Sequence, residues 1–337
     1  MDGLASARMA LRQHLRTWLQ RCSPDLRSDL TRALEAEGKL LSAPAEGDTV
    51  STGAWALLPF FVAQSIDPAI PPLRACEVAV AVELCICALD ILDDVEDEDR
   101  TPFIEDVGVA RALNTATALL SLASQALLSL SIHGRGVQHV VQLLGTIHEH
   151  LLAAVHGQHS DLLAERRSAM EMMQEECVQI AMEKAGSLVS MACRAGALCA
   201  QANDVVLERF TTFGRLFGIA QQLDNDCHDL YYLIQDVSAD SVVSGTGLIG
   251  RQAKTDLRRH KKTLPIVLAA QRQASDIPFP LPTDQENRAR YTQALQEAIF
   301  ATWGICLLYK ERARETLQTI EQMIPIAQEL RLLLDLA

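Results

Sequence analysis

The stretch Leu73–Asp97 reads LRACEVAVAVELCICALDILDDVED, an apolar run that ends in a cluster of aspartates. Its end places Asp90, Asp93, Asp94 and Asp97 at positions i, i+3, i+4 and i+7. Residues at this spacing share one face of an α-helix, where like charges repel each other. The pattern therefore predicts a helix that leaves an apolar core and presents a stripe of carboxylates to a cation.

A second polar stripe follows more than a hundred residues later, in FGIAQQLDNDCHDL at residues 217–230. Here Gln222, Asn225, Asp226 and Asp229 occupy i, i+3, i+4 and i+7. Oxygen ligands on rigid helices suit Mg²⁺, which is usually held by a few carboxylates together with water and substrate phosphate. One such stripe is commonly a solvated helix end, but two of them beside apolar residues predict a magnesium site.

The composition of the whole chain favours helices. The chain has 337 residues, of which 49% are hydrophobic and only 4% aromatic, and long stretches lack proline. No Gly-, Pro- or Ser-rich linker divides it. We expect an all-α fold with a single domain over residues 1–337, formed by a bundle of about ten or more helices around a central cavity. The predicted helices include Glu105–Leu130, Gly136–His156, Gly157–Arg167, Ala169–Gln201, Lys254–Gln273, Asp284–Glu311 and Arg312–Leu334, with a mobile loop at Asp236–Gly250.

Charge and cysteine content exclude several classes of protein. The formal charge of −13 argues against nucleic acid as a partner, because no basic stripe is available for phosphates. The nine cysteines are scattered without paired spacing, as is typical of reduced thiols in a cytoplasmic protein. No signal peptide is visible, and acidic residues such as Glu77 and Glu83 interrupt the longest apolar runs, so we expect no transmembrane segment.

The ordered set of polar segments resembles the trans-isoprenyl diphosphate synthases of the polyprenyl synthetase family and, through the shared isoprenoid synthase fold, the class I terpene synthases. The two aspartate-rich motifs match as Asp93-Asp94-Val95-Glu96-Asp97 and Asn225-Asp226-Cys227-His228-Asp229, with Asn225 where the family has an aspartate. Three further segments match in order: Gly157-Gln158-His159-Ser160-Asp161-Leu162, Glu183-Lys184-Ala185-Gly186 and Lys261-Lys262-Thr263-Leu264-Pro265. The resemblance covers about residues 50–310.

The resemblance implies a prenyl diphosphate as substrate, three Mg²⁺ ions bound with it, and a homodimer. The metal ligands would be Asp93, Asp94, Asp97, Asn225, Asp226 and Asp229, with Asn225 the weakest. Lys184 and Lys262 would contact the diphosphate and act in catalysis with Asp93 and Asp94. Arg100, Gln158 and Gln222 would complete the substrate contacts.

Two basic segments of the family are missing. Its Gly-Lys-Arg-x-Arg-Pro segment should lie near residues 50–60, where this chain reads Ser-Thr-Gly-Ala-Trp-Ala-Leu-Leu-Pro at 51–59. Its Arg-Arg-Gly segment after the first motif is also absent, and only Arg100 remains there. A diphosphate without cationic partners is costly to desolvate. The second substrate is therefore expected not to be a diphosphate.

Several functions remain open. We favour a terpene synthase that ionises and cyclises a prenyl diphosphate; a prenyltransferase that uses a neutral acceptor, such as an aromatic ring or indole, is the alternative. Chain elongation with rearranged contacts, and a non-catalytic subunit, are less favoured. Trp55 is the candidate residue to line the cavity beside a carbocation, because it stands where the family places charged residues. Ala88 lies five residues before Asp93 and Cys85 about one turn earlier, and both are small where short-chain synthases of the family place bulky side chains. The resemblance therefore favours a deep cavity and a C20 or longer substrate.

Overall fold

The computed structural model describes residues 2–43, 53–132, 136–238 and 259–335, and it confirms the predicted all-α class. The α-helices are α1 Asp2–Leu19, α2 Pro24–Leu34, α3 Ala54–Ile66, α4 Pro72–Glu96, α5 Pro102–Val107, α6 Val109–Ser129, α7 Val137–Ala164, α8 Gln174–Ala181, α9 Ser187–Cys199, α10 Asp204–Ser238, α11 Leu264–Gln273, α12 Gln285–Glu321 and α13 Gln328–Asp335. A 3₁₀-helix spans Ala169–Glu171, and a π-helical turn spans Met182–Gly186. Within these described ranges no residue lies in a β-strand, and no helix is long and apolar enough to cross a membrane.

The chain divides into two compact units. Unit 1 comprises Met1–Leu151, Leu188–Gly214 and Arg314–Ala337. Unit 2 comprises Leu152–Ser187 and Arg215–Ala313. The first acidic stripe belongs to unit 1 and the second to unit 2. That the whole chain folds as one domain remains a prediction.

Helix α4 is the central element of unit 1. Its residues from Ala75 to Ala88 are all buried, and the helix packs against α3 and α6. Burial on every side explains why the sequence of this helix shows no polar face before its acidic end. Two buried glutamates of α4 accept hydrogen bonds: Glu77 from the Trp18 indole nitrogen at 2.8 Å, and Glu83 from the Leu40 amide at 2.6 Å.

The core of unit 2 is formed by α8, α11 and the unit 2 parts of α10 and α12. Its cysteines act as small apolar residues with weak donors, because the Cys227 thiol lies 3.7 Å from the Ile299 carbonyl oxygen and the Cys306 thiol 3.2 Å from that of Ala220. All nine cysteines of the chain are free thiols, as the scattered spacing predicted.

The helix boundaries predicted from the sequence are wrong at two glycines. Gly108 divides the predicted helix Glu105–Leu130 into α5 and α6, since its φ of +79° is outside the helical range. Gly157, by contrast, does not break a helix, and α7 continues through it. A Cβ atom at Gly157 would lie only 2.7 Å from the Lys184 amide nitrogen, so this glycine permits close packing and does not mark a turn.

Other predicted boundaries also shift. The predicted helix Ala169–Gln201 consists of the 3₁₀-helix, α8, the π-helical turn and α9. Helix α11 starts only at Leu264, and residues 254–258 of the predicted helix lie outside the described residues. At the C-terminal end, α12 continues past the predicted boundary at Glu311 to Glu321. The first three residues of the predicted loop Asp236–Gly250 belong to α10, and the others lie outside the described residues.

Substitution of Gly196 on α9 would test the close packing within unit 1. A Cβ atom there would lie 2.4 Å from the Pro59 carbonyl oxygen of α3. We expect Gly196→Ala to lower the free energy of unfolding by about 1–3 kcal/mol, because backbone atoms would have to move. Gly145→Ala on α7 is the matched control: it meets no atom within 4 Å and should be neutral or stabilising by up to about 1 kcal/mol. Equal urea midpoints for the two variants would contradict this assignment.

Candidate functional site

The first acidic stripe lies at the C-terminal end of α4 in unit 1. Asp93 and Asp94 are partly exposed, whereas Asp97, the residue that ends the helix, is only 2% exposed. The Asp97 amide donates to the Asp93 carbonyl oxygen at 2.8 Å, which keeps the three residues on one helical surface. Periodicity thus predicted their shared face correctly, while their role as metal ligands remains a prediction.

Lys39 is a residue of this region that the sequence interpretation missed. Its ammonium group forms an ion pair with Asp90, the first carboxylate of the stripe, and its side chain is largely buried beside Glu83. Burial by itself would lower the pKa of Lys39, but the charges of Asp90 and Glu83 outweigh it and raise the pKa. The signal was available, because Gly38-Lys39 stands shortly before the segment where the basic residues were sought.

The other predicted residues of unit 1 lie at different depths. Trp55 is half-buried in the first turn of α3, and Arg100 is exposed beyond the end of α4. Cys85 and Ala88 are buried within α4, and burial raises the pKa of the Cys85 thiol to about 12. This thiol is therefore protonated and behaves as a small apolar side chain. The cavity-lining roles of Trp55, Cys85 and Ala88, and the substrate contact of Arg100, remain predictions.

The second stripe lies on α10, within unit 2. Asp226 is 8% exposed and accepts a hydrogen bond from the Gln222 amide at 2.8 Å. Asn225 is exposed and Asp229 is half-buried on the same helical face. His228 lies off this face, and its ring lies 5.9 Å from that of Trp303.

A small pocket in unit 2 brings together several predicted residues. It is lined by Asp161, Lys184, Gln222, Asp226 and Lys262, together with Cys177 and Thr263, and has a volume of about 20 Å³. The Lys184 ammonium donates to an Asp161 carboxylate oxygen at 2.9 Å, and the same oxygen lies 4.0 Å from the Lys261 ammonium. The sequence analysis included Asp161 in a motif but predicted no role for it.

The π-helical turn Met182–Gly186 positions Lys184 in this pocket. Insertion of a π turn rotates the residues within it relative to a regular α-helix, and such turns are frequent at functional sites. Two glycines let neighbouring helices approach the turn. A Cβ atom at Gly157 of α7 would lie 2.7 Å from the Lys184 amide nitrogen, and one at Gly218 of α10 would lie 2.5 Å from the Ala185 carbonyl oxygen.

Gln158 and Lys262 show two other features of a binding site. Both polar atoms of the Gln158 side chain are buried and have no hydrogen-bond partner among the described residues. A buried polar group without a partner is unusual in a folded protein and is expected to bind a ligand or water. The Lys262 ammonium donates to the carbonyl oxygens of Glu165 and His260, and burial lowers its pKa.

The electrostatics of the pocket fit a cation. Burial raises the pKa of Asp226 to about 7; the Gln222 hydrogen bond and Lys184 oppose this rise, and Asp161 and Asp229 add to it. A divalent ion would relieve the repulsion among these carboxylates, and their oxygen atoms are the donors that Mg²⁺ prefers. Within the part of the chain that the structure describes, no three acidic, histidine or cysteine side chains already converge on one point. Water and phosphate oxygens would have to complete the coordination shell.

The fold is that of the isoprenoid synthases. A crystal structure of a geranylgeranyl pyrophosphate synthase matches the whole chain with a TM-score of 0.75 at 18% identity, covering 97% of that protein. A polyprenyl synthetase from Streptomyces coelicolor A3(2) matches 99% of this chain and 98% of its own with a TM-score of 0.74 at 22% identity. The polyprenyl synthetase family model matches residues 57–298, and the chain belongs to this family.

Relatives of known activity align over part of the sequence. The tryptophan prenyltransferase ComQ of Bacillus spizizenii is 33% identical over 187 residues, which is 55% of each protein. The (2E,6E)-farnesyl diphosphate synthase of Mycobacterium tuberculosis H37Rv is 30% identical over 200 residues, 58% of this chain and 50% of that protein. The chain thus spans about half the length of the curated relatives that it matches.

Asp226 should make the stability of the metal-free protein depend on pH. Its pKa is raised in the folded state from the ordinary 3.8 to about 7, so the folded state binds more protons than the unfolded state between these values. The free energy of unfolding therefore falls as the pH rises through this window. Asp226→Asn removes the charge, and we expect it to stabilise the protein at pH 8 but have little effect at pH 4. Urea titrations in the presence of a chelator would measure this, and an equal effect at both pH values would refute it.

Proposed function

We propose that this protein binds an allylic prenyl diphosphate with Mg²⁺ and ionises it. The observation that carries the proposal is the pocket of unit 2, in which Asp226 and Asp161 lie beside Lys184 and Lys262. Carboxylates suit metal ions and ammonium groups suit phosphate oxygens, so a pocket with both suits a metal–diphosphate complex. We also propose Asp93, Asp94 and Asp97 of α4 as metal ligands, as the family resemblance implies.

The proposed reaction needs the departing pyrophosphate to be stabilised. When bound, Mg²⁺ would supply positive charge that offsets the charge developing on the leaving group. Lys184 and Lys262 would donate hydrogen bonds to the diphosphate oxygens, and Gln158 would offer a buried amide for a further contact. Gln222 holds the Asp226 carboxylate in place through its 2.8 Å hydrogen bond. A preorganised set of this kind favours ionisation to an allylic cation.

We propose that the prenyl cation is transferred to an acceptor that carries no diphosphate. The basic residues that the family uses are missing, and the nearby Lys39 is already paired with Asp90 and lies beside Glu83. A lysine already paired with a carboxylate offers less net attraction to an anion. One relative is a tryptophan prenyltransferase, which supports an aromatic acceptor such as an indole.

Cyclisation of the substrate is the second candidate, and the missing basic residues support it equally. Trp55 is its specific support, because a half-buried indole replaces charges in this segment and an aromatic face stabilises a carbocation. Buried Cys85 and Ala88 support a C20 or longer substrate for either reaction. Elongation with isopentenyl diphosphate and a non-catalytic role are less favoured. We further propose a homodimer, as the family resemblance implies, and a cytoplasmic location, as the scattered cysteines indicate.

Incubation with single prenyl diphosphates of C10, C15 and C20 separates these candidates. Each reaction contains Mg²⁺ and is run alone, with indole or a tryptophan-containing peptide, and with isopentenyl diphosphate. We expect pyrophosphate release fastest with C20 and a prenylated acceptor by mass spectrometry. A terpene from the substrate alone would identify a cyclase, and a longer diphosphate that forms only with isopentenyl diphosphate would identify an elongase. No pyrophosphate release under any condition would refute the proposed ionisation.

Asp93→Ala and Asp226→Ala should each abolish pyrophosphate release, because each removes a proposed metal ligand. Helicity by circular dichroism should be retained, since neither carboxylate contributes an apolar contact to the core. Glu208→Ala is the matched control: Glu208 is an exposed carboxylate on α10 that pairs with Arg194, away from the stripe. It should keep full activity. Retained turnover in both aspartate variants would exclude these residues from the metal site.

A further inference from the structure

We propose that helix α1 carries a binding site for a phosphate-bearing anion, separate from the proposed prenyl diphosphate site. Arg8, Arg12 and Arg16 line one cleft of about 700 Å³ along this helix. Every titratable residue among its described lining residues is an arginine. The others are Ala5, Met9, Gln13, Thr17 and Gln20, of which Gln13, Thr17 and Gln20 can donate hydrogen bonds without adding charge.

The charge of this segment is opposite to that of the protein. Residues 3–22 contain Arg8, Arg12, Arg16 and Arg21 and no aspartate or glutamate, although the whole chain has a formal charge of −13. A helix that needs only solubility in such a chain would be expected to mix both signs of charge. The concentration of guanidinium groups in this segment therefore indicates attraction to an anion.

The spacing of the arginines indicates which shape of ligand would fit this site. Positions i, i+4 and i+8 lie nearly above one another, and the distance from Arg8 to Arg16 along the helix axis is about 12 Å. A guanidinium group has a planar set of donors that matches phosphate oxygens. A row of such groups suits an extended anion with several phosphate groups, or a surface formed of phosphate headgroups.

The helix holds these side chains in place. The helix itself is anchored by the buried residues Leu11, Leu15 and Trp18. The Arg12 guanidinium donates to the carbonyl oxygens of Leu40 and Ser42, both at 2.6 Å, which fixes the centre of the row. Arg8 is only 8% exposed, so its side chain is largely buried, whereas Arg16 is exposed to solvent. A site fixed in this way loses little entropy when it binds a ligand.

Titration calorimetry with inorganic tripolyphosphate tests the site in the full-length protein. The buffer contains a chelator, so that the acidic stripes cannot bind the anion through a metal ion. We expect wild-type protein to bind, Arg16→Gln to bind about tenfold more weakly, and Arg16→Glu to bind more weakly still. Arg16 is exposed, so both variants should fold. The matched control is Arg209→Gln, which removes an exposed arginine of α10 outside the cleft and should leave the affinity unchanged.

A second measurement distinguishes a soluble ligand from a lipid headgroup. Sedimentation with vesicles of phosphatidylcholine and phosphatidic acid should depend on Arg16 if the ligand is a lipid. If Arg16 affects only tripolyphosphate binding, the ligand is a soluble polyphosphate compound. Either result supports the anion site. Absence of binding to both probes, or equal binding by wild-type protein, Arg16→Glu and Arg209→Gln, would overturn the proposal.

Discussion

Crowding of carboxylates in a poorly solvated pocket is the constraint on which the organisation of unit 2 depends. Asp161 and Asp226 lie in one pocket with Lys184, and burial together with neighbouring charge raises the pKa of Asp226 to about 7. The surrounding backbone is arranged to place a lysine there. Gly157 and Gly218 let α7 and α10 approach the π-helical turn that carries Lys184. The close packing of these helices therefore determines where the charge of Lys184 lies relative to the carboxylates of the pocket.

Unit 1 shows the same constraint with a different result. Buried Glu83 and the nearby Asp90 are offset by Lys39, which they hold within the protein. Removing one member of such a group would leave an uncompensated charge, which costs far more than an exposed ion pair contributes. The positive charge of Lys39 is thus needed to stabilise the folded protein. A lysine in the region that attracts anions elsewhere in the family stabilises carboxylates of its own chain here.

Residues close in sequence could be assigned from periodicity, whereas contacts between distant residues could not. The faces of Asp93, Asp94 and Asp97 and of Gln222 and Asp226 follow from helical spacing alone. The Lys39–Asp90 pair joins residues that no local pattern relates. Gly157 was interpreted as a break because a glycine within a helix can mark either a turn or a close approach, and only the neighbouring Lys184 backbone shows which applies. The π-helical turn likewise has no periodic signal that separates it from an α-helix.

These contacts bear on the reaction proposed for this member of the family. A pocket that ionises a prenyl diphosphate requires carboxylates and lysines, and unit 2 retains both. Binding a second diphosphate requires further cations, and in unit 1 Lys39 is already paired with Asp90. The proposed cation would still form, but an anionic acceptor would have to be desolvated without compensation. A neutral acceptor has no such cost, and neither does a double bond of the substrate itself. Loss of a few basic side chains would thus redirect the proposed cation without altering the groups that generate it.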